Sequence, residues 1–89
     1  MRAVVTVTGK DKKGIIATVS AFLSERGANI EDISQTILGE YFAMIMIVDV
    51  SSIEVELSAL AKECSELGKQ IGMSIYVQHE DIFNAMHNV

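Results

Sequence analysis

The chain has one cysteine, no proline and few basic residues. The shortages of cysteine and of basic residues exclude or disfavour particular kinds of structure and partner. Cys64 alone excludes a disulfide framework within the chain, and it fits a reducing, cytoplasmic setting. Seven basic residues against twelve acidic ones give a net charge of −5, which disfavours a nucleic-acid partner because such a partner needs a basic face. The longest apolar run, 41–48, is far shorter than the ~20 residues that a membrane helix needs, so we expect no membrane association.

What is present is a short, apolar chain of 89 residues, of which 49% are hydrophobic. The length predicts a single domain, and its first residues enter a strand pattern without the apolar core of a signal peptide. A domain of this size buries only about 60% of the surface of its unfolded chain. Since small, apolar chains often complete their core by oligomerising, we expect at least a homodimer.

The first half of the chain predicts a strand, a helix and a hairpin. Residues 3–8 are rich in Val and Thr and read as a strand. Apolar residues then recur at helical spacing up to Gly27, which suits a left-handed helix end, with Arg26 placed against the negative end of the helix dipole. Strands follow over 30–38 and 41–48, and Gly39-Glu40 forms the turn between them.

The second half predicts a long helix, a strand and a short helix. Ser51 and Glu54 form an S-x-x-E pattern, which predicts a capping box at the start of the second helix. Apolar residues continue at helical spacing to Gly72, although Gly68 leaves the last turn uncertain because glycine weakens a helix by about 1 kcal/mol relative to alanine. A strand over 73–79 and a short helix over 80–89 complete the chain.

The predicted order β-α-β-β-α-β indicates a ferredoxin-like α+β fold. It has a four-stranded antiparallel sheet with two helices on one face, and a single domain spans 1–89. The 41–48 strand is apolar on both faces, so the face without the two helices needs a cover. Phe83 and Met86 of the terminal helix are one candidate cover, and a second dimer, giving a tetramer, is the other.

The turn 8–16 is the best candidate site. It joins the first strand to the first helix, where the first N–H groups of a helix lack acceptors and can bind an anion. Gly14 adds no side chain there, and Lys10, Lys12 and Lys13 surround Asp11, whose carboxylate is placed to cap the helix. This combination suits a small ligand that carries a carboxylate and an amine.

The predicted β-α-β-β-α-β order, together with two of its motifs, resembles the ACT domain. The motifs are the D-x-x-G-I turn at 11–15 and the G-x-N-I entry to the second strand at 27–30, and the resemblance covers about residues 3–78. The tail 79–89 looks like that of free-standing single-ACT proteins of bacteria and archaea. Such domains are regulatory modules that bind amino acids, and they typically pair through the second strand and first helix.

The resemblance also implies where a ligand would bind. In the family, the ligand lies between the first strand–helix turn of one subunit and the second strand of its neighbour. Carried over by position, the ligand-binding residues of this chain are Asp11, Lys12, Lys13, Gly14, Asn29 and Ile30. Simpler interpretations remain open, because Asp11 to Gly14 also fit a plain helix start and Asn29 also fits a helix-to-strand turn.

Other site types are disfavoured, and we predict no catalytic residue, no metal and no cofactor. Gly9 and Gly14 have the spacing of a phosphate loop, but Ile15 and Ile16 replace the Lys and Ser/Thr that such a loop needs. The tail histidines, His79 beside Glu80-Asp81 and His87, do not have a recognised ligand spacing. Cys64 lies on the apolar face of the second helix, which favours a buried structural thiol over a nucleophile.

The sequence therefore favours a non-enzymatic sensor that binds an amino acid at a homodimer interface and acts through an effector protein. The main alternative is an assembly module that keeps the fold without a ligand. An acylphosphatase-like enzyme needs an arginine in the anion-binding loop, whereas Arg2 and Arg26 lie elsewhere. An RNA-binding sheet needs a basic face and aromatic residues on its central strands, whereas Tyr41 and Phe42 lie on one strand only.

Overall fold

A computed structural model describes residues 1–10 and 13–87 of the chain. Its elements follow the predicted order, including the short C-terminal helix. They are β1 (Arg2–Gly9), α1 (Ile15–Glu25), β2 (Asn29–Leu38), β3 (Tyr41–Asp49), α2 (Leu57–Ile71), β4 (Ser74–His79) and α3 (Glu80–His87).

The four strands form one sheet in the order β2-β3-β1-β4, and all neighbours are antiparallel. The ferredoxin-like prediction is therefore confirmed, with the apolar β3 in the interior of the sheet and β2 at an edge. Within β2 the register shifts once, because Ile30 pairs with Val48 whereas Asp32 pairs with Ile47. Glu31 is the extra residue of this β-bulge, which bends the start of the edge strand.

The hydrophobic core lies between the sheet and the helices α1 and α2. Alternate residues of the strands point into it, as the period-2 geometry of a strand requires. The fully buried Val5, Met44 and Met46 of the sheet join Leu23 of α1 and Leu60 of α2 in this core. Met44 and Met46 thus fill the core.

The third helix packs on the opposite face of the sheet, against β1 and β4. Val4 belongs to this face, because it alternates with the core residues Ala3 and Val5, yet it is only 2% exposed. Gln78 pairs with Val4 across the strands, and its Nε2 lies 3.4 Å from Sδ of Met86 in α3. The terminal helix therefore covers part of this face, which was one of the two predicted covers.

The first helix ends as its sequence predicts. Gly27 has a left-handed φ of 84°. The N–H groups of Arg26 and Ala28 both donate to the carbonyl of Leu23, at 3.1 and 3.0 Å, which satisfies the last turn. The guanidinium of Arg26 also donates from Nη1 to the carbonyl of Phe22 at 3.1 Å, so its positive charge lies at the negative end of the helix.

The predicted start of the second helix is wrong. α2 begins at Leu57, and its N-cap is Glu56, whose side chain makes no capping hydrogen bond. The N–H of Ser51 donates to Oδ1 of Asp49 at 2.9 Å, and its hydroxyl accepts from the Met1 amino group at 2.8 Å. Since Ser51 takes part in the turn after β3, it cannot cap the helix, and Ile53 lies before the helix rather than in it.

Gly68 does not interrupt the last turn of α2. The helix continues to Ile71 and ends at Gly72, which has a left-handed φ of 74°. A Cβ atom on Gly68 would lie 2.5 Å from the carbonyl oxygen of Met73. The glycine therefore allows the chain to turn closely against the helix as it enters β4.

Candidate functional site

The turn that carries most of the predicted site opens α1. Gly14 is the N-cap, with a left-handed φ of 74°, and no side chain among the described residues caps the helix there. The first N–H groups of the helix have no acceptor within it, and α1 has no acidic residue in its first turn. Lys13 is exposed beside Gly14. Asp11 and Lys12 lie outside the described residues, so the predicted cap by Asp11 stays a prediction.

Asn29 and Ile30 lie at the opposite end of the domain. Asn29 pairs with Asp49, whose other neighbour across the sheet is Arg2. Gly9, by contrast, pairs with Phe42 at the far end of the same strands. Gly14 and Asn29 flank the 11 residues of α1, a helix about 16 Å long.

One chain therefore does not bring the predicted site residues together. Lys13 and Gly14 lie at what we call the turn end, which also holds the β2–β3 hairpin and the end of α2. Asn29 and Ile30 lie at what we call the Asn29 end, which also holds the start of α2. Asn29 is exposed and Ile30 is half-buried on the edge strand, which in the described part of the chain pairs with β3 alone.

The two ends differ in charge. Lys10, Lys13 and Lys69 are described at the turn end, together with Glu40, whose Oε1 lies 3.9 Å from Nζ of Lys10. The Asn29 end has Arg2 and Arg26 and a larger group of acidic residues. These are Glu25, Glu31, Asp32, Asp49, Glu54, Glu56, Glu80 and Asp81.

Asp49, beside Asn29, is held in its ionised form. Its Oδ1 accepts the N–H of Ser51, and hydrogen bonds from the side chain and backbone of Ser51 lower the pKa of Asp49 below its ordinary value. The carboxylate is therefore negative throughout the neutral range. The strand position opposite Asn29 is thus anionic.

A groove at the turn end was not evident from the sequence. It has a volume of about 680 Å³ and is lined by the ends of β1 and α2, the loop into β4 and Tyr41. Nζ of Lys10 lies 5.6 Å from the centre of the Tyr41 ring, within cation–π range. Lys69 also lines the groove. The groove forms where the ends of strands and of a helix meet, so it can be recognised only once the fold is known.

A second cleft, of about 600 Å³, lies between the end of α1 and the start of α2. Arg26 borders it and stacks on the Phe22 ring, with the guanidinium carbon 3.5 Å from the ring centre. Nε of Arg26 also lies 3.3 Å from Oε1 of Glu63 in α2. This arginine therefore links the two helices, so the position of its side chain has a structural reason that does not involve a ligand.

The remaining polar groups point to structural roles. Burial raises the pKa of Cys64 to about 11, so the thiol is protonated at neutral pH and is a poor nucleophile. Nδ1 of His79 accepts the N–H of Asp81 at 3.0 Å and thereby caps the start of α3. Among residues 1–10 and 13–87, no three or more His, Cys, Asp or Glu side chains are grouped closely enough to hold a metal ion.

Comparison with known proteins settles the family. The family model described as ACT domain matches residues 2–78. The chain belongs to the ACT domain family. ACT domains are typically ligand-binding regulatory modules. Within this family the chain belongs to the UPF0237 group of small single-ACT proteins from bacteria and archaea.

Two relatives of this ACT protein match over nearly all of their length. A UPF0237 protein of Methanopyrus kandleri is 51% identical over 99% of this chain and 98% of its own. A UPF0237 protein of Clostridium acetobutylicum is 53% identical over 100% of both chains. Neither relative has the name of an enzyme.

A solved structure supports the same fold. The ACT domain protein from Streptococcus pneumoniae has a TM-score of 0.84 and 44% identity, and the match covers 98% of each chain. In the part of the ACT chain that the structure describes, no helix combines the length and the apolar character needed to cross a bilayer.

Proposed function

We propose that this ACT protein is a non-enzymatic regulatory module that binds an amino acid at the interface of a homodimer. The observation that carries the proposal is the separation of the predicted ligand residues. Gly14 opens α1 at the turn end, whereas Asn29 begins β2 at the other end. A site that needs both residues must take one from each of two chains.

An antiparallel pair of β2 strands supplies this geometry. β2 is an edge strand of ten residues, so its outer backbone groups offer hydrogen bonds to another strand. When two identical strands pair antiparallel, the start of each lies beside the end of the other. Asn29 of the second copy then lies beside Leu38 of the first, at the turn end where Gly14 begins α1.

Charge favours the same arrangement. Antiparallel pairing places the acidic start of one β2, with Glu31 and Asp32, at the turn end of the other chain, which carries Lys10 and Lys13. Opposite charges therefore face each other twice, once on each side of the twofold axis. This complementarity supports pairing of β2 with itself in a chain whose net charge of −5 would otherwise oppose association.

The chemistry of the combined site suits an α-amino acid. The first N–H groups of α1 would bind the carboxylate, and Lys13 would add positive charge. Asp11 would accept the ammonium group, and the Asn29 amide of the second copy offers both a donor and an acceptor. Ile30 would contact the ligand side chain. The ligand thereby stabilises the dimer, and an effector protein in the cytoplasm would read the change.

Calorimetry with each of the twenty amino acids tests this function. We expect one or a few to bind at millimolar concentration or tighter, and Asp11→Ala or Asn29→Ala to weaken that binding at least tenfold. Asn84→Ala is the matched control, because Asn84 is an exposed asparagine on α3, on another surface. No heat of binding from any amino acid at millimolar concentration would reject the proposal.

An assembly module without a ligand is the second candidate function. Apolar side chains at the β2–β3 hairpin favour it, since Ile37, Leu38 and Tyr41 are 52%, 75% and 55% exposed. Exposed apolar clusters are one mark of a protein–protein contact. Capture of a specific protein partner by the wild-type chain, with no thermal shift from any amino acid, would support this function instead.

A further inference from the structure

The sheet face opposite α1 and α2 is only half covered. α3 covers the row that contains Val4 and Gln78, where Val4 is 2% exposed. In the next row toward the hairpin, Thr6 pairs with Ile45 on one side and with Tyr76 on the other. Ile45 and Tyr76 are 39% and 66% exposed, although Ile45 lies on an interior strand.

We call this uncovered region the open half. It consists of Thr6, Ala43, Ile45 and Tyr76, with Leu38 and Tyr41 at its rim and the exposed hydroxyl residues Thr8, Ser34, Thr36 and Ser74 in the same rows. None of these side chains is charged, and the apolar surface of the open half comes from Ala43, Ile45, Tyr76, Leu38 and Tyr41. Exposed apolar side chains that are grouped on one face are one mark of a protein–protein contact.

The outer surface of α3 has matching chemistry. Ile82 and Met86 lie one turn apart and are 55% and 65% exposed. Phe83, between them, is half-buried. α3 thus presents an apolar ridge next to an apolar depression, the open half. Within one chain α3 already packs on this face of the sheet, where it buries Val4.

We propose that a second copy of this chain stacks on this face, so that α3 of each copy covers the open half of the other. The surface is self-complementary, since the ridge and the depression lie side by side on the same face. A twofold axis between the sheets, perpendicular to the strands, brings the α3 end of one copy over the hairpin end of the other. The two α3 helices then lie next to each other in a single layer between two sheets.

The distribution of charge permits a second copy as the occupant. The chain is acidic, so two copies repel each other wherever their acidic side chains meet. The open half lacks charge, and the charged residues of α3, Glu80 and Asp81, lie in its first turn. Oε2 of Glu80 is already paired with Nη2 of Arg2 at 2.7 Å. Two copies can therefore approach through this face without bringing acidic groups into its centre.

This stacking does not depend on pairing of the β2 edges, because it uses a different surface. Edge pairing extends the sheet sideways, whereas stacking adds a layer above it. When both contacts form, the assembly contains four chains. The tetramer that the sequence left open would then be a stack of two edge-paired dimers.

Sedimentation of the full chain at micromolar concentration tests the stacking. We expect the wild-type chain to sediment as four copies, and Ile45→Glu and Ile82→Glu each to halve the mass. Val55→Glu is the control, because Val55 is 45% exposed in the segment before α2, away from the sheet face. Ile45 and Ile82 are exposed in the single chain, so circular dichroism should show that both variants remain folded.

A covalent test keeps the proposal independent of any folding defect. In a chain with both Ile45→Cys and Ile82→Cys, oxidation should produce disulfide-linked pairs of chains, whereas either single variant should give far fewer. Folded Ile45→Glu and Ile82→Glu variants that retain the wild-type mass would overturn the stacking. If these variants halve the mass but calorimetry detects no amino acid, the stacking stands and the proposed function fails.

Discussion

At the scale of single residues, Gly14 and Gly68 are required for different physical reasons. Gly14 has open space where a Cβ atom would lie, but its φ of +74° is unfavourable for any residue with a side chain. Gly68 lies within a helix, where alanine is normally preferred, but a Cβ atom there would meet the backbone oxygen of Met73 at 2.5 Å. One glycine is needed for its conformation and the other for its size.

This difference predicts the order of two substitutions. We expect Gly14→Ala to lower the free energy of unfolding by about 1 kcal/mol, because the left-handed conformation strains alanine. We expect Gly68→Ala to lower it by about 1–3 kcal/mol, because overpacking outweighs the better helix propensity of alanine. Urea denaturation measures both. Ser65→Ala, at an exposed position of α2, should change stability little, and a stabilised Gly68→Ala would contradict the overpacking.

At the scale of elements, glycines and hydrophobic periodicity predicted most of the chain. Gly27 and Gly72 ended helices where expected, and the apolar 41–48 segment became an interior strand. The start of α2 was mispredicted because S-x-x-E describes a local hydrogen-bonding option, and Ser51 made other hydrogen bonds. A local sequence pattern does not show which group a side chain will hydrogen-bond with when the partner is distant in sequence. The Ser51 hydroxyl accepts a hydrogen bond from the Met1 amino group, which is 50 residues away.

The sequence motifs named the residues of the candidate site, which stay predictions, but the distance between them within one chain is evident only from the structure. The turn at Gly14 and the strand entry at Asn29 were identified from motifs, and the structure placed them at opposite ends of the domain. The sequence did not predict the groove beside Tyr41, nor the contacts of Arg26 with Phe22 and Glu63. Each depends on contacts between distant segments, which follow from the sheet register rather than from spacing along the chain.

The terminal helix gives a prediction at this scale. We expect a chain that ends at residue 79 to fold but to lose about 1.5–3 kcal/mol of stability, since Val4 would become exposed. Denaturation of the shortened and full chains measures the difference. Val4→Thr in the full chain is the companion variant, and it should show a smaller loss. Equal stability of the shortened and full chains would mean that α3 does not protect Val4.

At the scale of the whole molecule, the domain is electrically polarised along its strands. The lysines of the turn end and the acidic residues of the Asn29 end make a dipole that antiparallel neighbours complement. The stacked contact across the open half, by contrast, is apolar. The two contacts should therefore respond oppositely to salt, because salt screens charges and does not weaken apolar burial.

Sedimentation at rising salt concentration tests this contrast. The Ile45→Glu variant retains only the edge contact. We expect the Kd of its dimer to rise about tenfold or more between low salt and 1 M salt, where the Debye length falls to about 3 Å. A double variant, Glu31→Gln with Asp32→Asn, should lose most of this dependence while it keeps the bulge residues nearly isosteric. A salt-independent edge dimer would argue against electrostatic pairing of the two ends.

The unequal lengths of the two edge strands also decide whether association stops. β2 has ten residues and β4 has six, and β4 runs directly into α3. A long edge that met a short one would pair head to tail and could add chains without limit, as fibres do. Pairing of β2 with its own copy consumes both long edges and leaves two short ones, each next to a helix. The asymmetry of one sheet therefore favours a finite particle over a filament.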